Sequence, residues 1–209
     1  MHPLRKSIPL ALLIAGCLLH GADATSQSRW SWDISGGIST PGVDQTYLRN
    51  WGSGWVASLG GAYSMNSHLQ ALVSISYHRF GFEGGYPGYS IYDSPVAAAD
   101  PSTLFQAYGG LRCLPVGRFF RPYVTAGVGY ESLHLGKVLR STSTVQGAGG
   151  TFTDSRSDIS TEGGYAAAGL GLMIPTPLNV HLLVEGDFVT TFDGKHTFLP
   201  LTLGIETAL

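Results

Sequence analysis

Along residues 124–131 the side chains alternate between two characters. Val124, Ala126, Val128 and Tyr130 are apolar, whereas Thr125, Gly127, Gly129 and Glu131 are small, polar or charged. A period of two is that of a β-strand, whose successive side chains point to opposite faces. The pattern recurs in eight segments, near Arg29–Ser39, Gly54–Ser64, His68–Phe80, Thr103–Leu114, Pro122–Leu135, Gly164–Ile174, Asn179–Phe192 and His196–Leu209. In the first, Trp30, Trp32, Ile34 and Ile38 oppose Ser31, Asp33, Ser35 and Ser39; in the third, Leu69, Ala71, Val73, Ile75 and Tyr77 oppose Gln70, Leu72, Ser74, Ser76 and His78. No helical period competes. A soluble sandwich turns its apolar faces inward and fills the space between them with bulky groups. Glycines on the polar faces instead predict a narrow interior with the apolar groups outside, which is a barrel in lipid. Each segment has about the length a tilted strand needs to cross a bilayer.

The connectors add a second, independent pattern. Thr40–Ser53, Gly81–Ser102 and Gly136–Gly163 are long, and alternate with short links at Met65–Ser67, Pro115–Arg121 and around Pro175–Pro177. Only the last, the hairpin turn Asp193-Gly194-Lys195, breaks the alternation. Such alternation belongs to an up-and-down barrel with short periplasmic turns and long outer loops. An even number of strands puts both termini on the periplasmic side. Closure matters because an unpaired backbone group in hydrocarbon costs roughly several kcal/mol, and a ring has no edges. Trp30, Trp32, Trp55, Tyr63, Tyr77 and Tyr130 then fall near strand ends on the outward face, where aromatic girdles sit.

Composition narrows the class. Charged residues make up 12% of the 209 positions, aromatics 11%, and glycine occurs 29 times, yet no segment beyond the N-terminus has the apolar run of a spanning helix. A net charge of −2 without a basic run gives nucleic acid no electrostatic footing. At the N-terminus, Arg5 and Lys6 precede the apolar stretch Ile8–Leu19 and the A-x-A site Ala22-Asp23-Ala24. Residues 1–24 are therefore expected to be a signal peptide, and 25–209 the barrel domain. A competing lipobox-like Ile14-Ala15-Gly16-Cys17 lies inside the apolar run and is followed by Leu18-Leu19, where a lipidated cysteine would open a polar tether. Cleavage after Ala24 leaves Cys113 alone, so no internal disulfide is expected.

The strand Arg121-Pro-Tyr-Val-Thr-Ala-Gly-Val-Gly-Tyr130 and the segment Leu199-Pro-Leu-Thr-Leu-Gly204 resemble strands of the small outer-membrane β-barrel superfamily, the porin-like group that includes the transmembrane domain of outer-membrane protein A. The resemblance covers essentially the whole mature chain. It implies an all-β fold, an eight-stranded antiparallel up-and-down transmembrane β-barrel, in the outer membrane. It also implies a monomer surrounded by outer-membrane lipids and inserted by the barrel-assembly machinery. The C-terminal stretch Thr202–Leu209 partly matches the assembly signal of such proteins, departing from it at Thr207 and at Leu209, which stands in place of an aromatic residue.

With the faces assigned in this way, Asp33, Arg112, Glu131, Glu185, Asp187 and Glu206 point into the lumen. Eight strands leave an interior that side chains just fill. The economical expectation is a charge-paired plug with Arg112 at its centre and carboxylates from neighbouring strands around it. The alternative is a narrow ion path through Glu131, Glu185 and Arg112. Some barrels of this group are lipid-modifying acyl transferases or hydrolases, whose chemistry needs a serine activated by a histidine that an acid orients. Here His134 follows Ser132 on the outward face while the adjacent Glu131 points inward, so these three do not converge. His68, His78, His181 and His196 are dispersed. No catalytic residue, metal cluster or cofactor is expected. The loops remain. Gly81–Tyr92 offers Tyr86, Tyr89 and Tyr92 as contacts for an extracellular ligand, and Ser141–Gly163 reads as a solvated polar loop. The expected role is structural and surface interaction, with no enzyme activity.

Overall fold

The alternating segments form long strands that share one closed sheet. The computed structural model describes residues 29–42, 51–82, 96–115, 120–142, 152–156, 159–176, 180–194 and 196–208. In chain order the strands are β1 (Trp30–Pro41), β2 (Trp51–Ser64), β3 (Leu69–Phe82), β4 (Val96–Ala99), β5 (Ser102–Cys113), β6 (Arg121–Leu135), β7 (Val138–Thr142), β8 (Phe152–Arg156), β9 (Ile159–Pro175), β10 (Val180–Thr191) and β11 (Thr197–Ala208). Eight of them close into a barrel of order β1-β11-β10-β9-β6-β5-β3-β2. Every neighbouring pair in the ring is antiparallel. The seam between first and last strands runs from Ser31↔Ala208 to Pro41↔Phe198. The fold is the expected eight-stranded antiparallel up-and-down barrel.

Burial shows which way the sheet is turned. Leu170 and Leu203 are 70% and 65% exposed, whereas Arg112 and Glu131 are 3% and 2% exposed, so the apolar face is outside and the charged face inside. That is the reverse of a soluble protein, and it is the arrangement lipid requires. The outward belt ends in aromatics on both rims. At the terminus end Trp30 meets Tyr63 with ring centroids 4.9 Å apart. At the loop end Trp55 meets Tyr77 at 5.5 Å. The alternation fades at the terminus end, where the register pair Leu69↔Cys113 is buried although its parity points outward.

Two connectors read as loops contain strands. Val96–Ala99, Val138–Thr142 and Phe152–Arg156 form a three-stranded sheet of order β4-β7-β8. The expectation of a plain polar loop over Ser141–Gly163 is thus corrected. This stretch carries part of β7, all of β8 and the first residues of β9, which starts at Ile159 and pairs with β6 from Leu135↔Ile159 onward. Serine and threonine on both faces erase the polar and apolar contrast that reveals a strand, yet β-branched threonine still fits a pleated backbone. The second strand also starts earlier than expected. A register shift between Trp51 and Gly54 turns Trp51 inward, edge-on to Phe82 at 5.3 Å.

A polar lumen as the candidate functional site

The lumen is built in layers. Nearest the termini, Arg112 of β5 donates from Nη1 to Glu206 Oε2 of β11 at 2.6 Å, both side chains being buried. In the ring order these strands stand on opposite sides of the barrel. The pair therefore spans the lumen instead of joining neighbours, which corrects the expectation of carboxylates from adjacent strands. The guanidinium also donates to Gln70 Oε1 at 3.2 Å and lies over the Tyr123 ring, 4.7 Å from its centroid. Ser31 donates to the other carboxylate oxygen of Glu206 at 2.9 Å. A buried charge needs such partners, because removing one member of a pair costs about 3–5 kcal/mol.

From this layer a hydrogen-bonded chain leads inward. Tyr123 donates its hydroxyl to Glu185 Oε2 at 2.8 Å, and Thr125 faces Glu185 Oε1 at 3.1 Å and Asp187 Oδ1 at 3.5 Å. Through the Tyr123 ring, Arg112, Glu206, Glu185 and Asp187 thus form one connected group. Asp33 faces the same chamber, a cavity of about 120 Å³ that Ser58, Ser74 and Thr202 also line. Glu131 stands apart from this group. It accepts from Gln106 Nε2 at 3.0 Å, and Gln106 accepts in turn from Ser76, which is 3.2 Å from His78 Nε2.

Apolar clusters flank the polar chamber on both sides along the barrel axis. Toward the loops, Phe80 and Phe198 stack at 5.7 Å within a buried cluster that includes Leu104 and Leu133. Toward the termini, Leu114, Met173 and Leu183 pack with Tyr123. The lumen glycines fit between these fillings as seats for tyrosines. A Cβ on Gly171 would overlap the Tyr123 ring, and one on Gly129 would lie 2.5 Å from the Tyr165 ring. The glycine-rich polar face is therefore complementary to the bulky rings that fill the interior.

On the outer surface, His134 Nδ1 is 3.2 Å from Ser160 Oγ, and Tyr130 donates to Glu162 at 2.6 Å. Sequence spacing gives no hint of Ser160 and Glu162, because only the β6–β9 register brings them beside His134 and Ser132. Glu131 lies on the other face of the wall, and Glu162 is bonded to Tyr130 instead of orienting the histidine. No triad is assembled among the described residues, and none of their His, Cys, Asp and Glu side chains cluster as a metal site. The loop candidates Tyr86, Tyr89 and Tyr92, the signal segment 1–24 with Cys17, and Leu209 lie outside the described residues.

An outward apolar belt around a charge-bearing interior defines the class: a small β-barrel of the transmembrane kind. Solved structures share this fold. Neisserial surface protein A aligns with a TM-score of 0.58 at 12% identity, over 88% of this chain and 100% of that one. Ail, the attachment invasion locus protein of Yersinia pestis, aligns with a TM-score of 0.51 at 17% identity, over 88% and 99%. A major outer membrane protein of Thermus thermophilus aligns with a TM-score of 0.53 at 10% identity, over 86% and 99%. No family model matches the sequence, and no match is found among curated proteins. At these identities the likeness is one of fold.

Proposed function

We propose that the chain is an outer-membrane barrel with a structural and surface-interaction role. On this reading its lumen is closed to solutes, both termini face the periplasm, and the loop end faces outward. Residues 1–24 direct export, the barrel-assembly machinery inserts the chain, and the product is a monomer ringed by lipid. What supports this reading is the exposed apolar belt around a lumen that Arg112–Glu206 bridges, with apolar clusters packed to either side of the polar chamber. A non-enzymatic role is supported by Glu162 being bonded to Tyr130 and not to the histidine. The loop tyrosines Tyr86, Tyr89 and Tyr92 are the proposed contacts for an extracellular ligand.

Fractionation of cells expressing the full chain tests the placement. Recovery in the outer membrane, with heat-modifiable migration on a gel, is the expected result. Recovery as a soluble periplasmic protein would sink the proposal. Planar-bilayer recordings test closure, with no discrete conductance steps expected for the wild-type chain.

A further inference from the structure

On the outer wall, at the loop end, the sheet carries a trough of about 620 Å³. The register shift in β2 lies beside it. By turning Trp51 into the lumen, the shift leaves small residues, Ser53 and Gly54, on the rim. On the next strand Gly81 contributes no side chain, and a Cβ there would meet open space. Ile38, Trp55, Phe80, Phe82 and Pro101 also line it, and Arg79 is the one cation among the lining residues.

Arg79 pairs in register with Trp55 and stands one outward position above Tyr77, at the height of the aromatic girdle. It is exposed, and it has no ion pair among the described residues. A guanidinium at the edge of an apolar belt matches a phosphate in charge and in geometry, since its fork of N–H donors fits phosphate oxygens. The belt below it matches acyl chains. We propose that this trough binds the phosphate headgroup of an anionic lipid in the leaflet on the loop side, with Arg79 holding the phosphate and Trp55 and Ile38 flanking the first carbons of the chain. The proposal rests on the membrane reading above and adds a headgroup preference to it.

Native mass spectrometry of the full chain, refolded into bilayers and extracted in non-ionic detergent, tests this with dimyristoyl phosphatidic acid and dimyristoyl phosphatidylcholine as probes. The expected result is preferential retention of phosphatidic acid, lowered roughly tenfold by Arg79→Gln. Arg121→Gln, on the opposite rim, is expected to leave retention unchanged, and millimolar inorganic phosphate is expected not to displace the lipid. Equal retention of the two lipids, or equal retention by wild type and Arg79→Gln, would overturn the inference while leaving the barrel reading intact. Displacement by inorganic phosphate would overturn the lipid as the source of the phosphate. A chain that does not enter bilayers at all would overturn both readings.

Discussion

Arg112 and Glu206 approach to 2.6 Å from opposite sides of the barrel. A bridge across the lumen ties two arcs of the wall that share no backbone hydrogen bonds. Arg112→Ala removes that tie and leaves Glu206 buried with Ser31 as its remaining hydrogen-bond donor among the described residues. The expected loss is about 3–5 kcal/mol, read from the urea midpoint of the chain refolded in lipid. Adding Glu206→Gln to Arg112→Met is expected to recover much of that loss, because the pair is then replaced by neutral groups.

Glu185 and Asp187 share Thr125, and neither forms an ion pair among the described residues. Two carboxylates crowded onto one hydroxyl repel each other in a poorly solvated chamber. Asp187→Asn keeps the shape and lets an amide donate to Glu185. The expected outcome is a gain of about 1 kcal/mol in the same urea assay. A loss of that size would show that the charge on Asp187 is compensated in the native barrel.

The loop-side apolar cluster, and with it the proposed closure of the lumen, is tested by Phe198→Ala. Phe198 is fully buried and stacks on Phe80. Truncation should cost about 3–5 kcal/mol, as for other buried aromatic rings. It should also thin the barrier between the polar chamber and the loop end. Conductance steps in planar bilayers, not expected of the wild type, are the second readout.

Gly171→Val tests the seating of the lumen rings. A Cβ at this position would overlap the Tyr123 ring, which supports both Arg112 and Glu185. Overpacking of this kind costs about 1–3 kcal/mol. Pairing Gly171→Val with Tyr123→Phe should not restore stability, since the ring itself is what collides. Pairing it with Tyr123→Ser should restore part of it.

Much of the wall was legible in the sequence. Parity alone places Trp32, Ile34, Val128 and Leu203 outside and Arg112, Glu131 and Glu206 inside, as the barrel has them, because a half-buried strand writes its two faces into alternate residues. The site was less legible. Parity says that Arg112 and Glu206 point inward, but only the stagger of the closed ring puts them at one height on facing strands. The same stagger sets Glu131 at another height, with Gln106 as its donor. The strand β8 and the early start of β9 were hidden because residues such as Thr153, Asp154 and Ser155 are polar on both faces. Trp51 was hidden by the irregularity ahead of Gly54, which shifts the count by which faces are assigned.

The seam between β1 and β11 joins the first and last strands of the barrel, from Ser31↔Ala208 to Pro41↔Phe198. Without β11 the sheet is therefore a ribbon with two raw margins, and only that final stave closes it. Until that moment its margins will accept any complementary strand, including one from a sister molecule. Closing this ring thus needs β11, and shortening that strand should yield aggregates instead of a smaller ring.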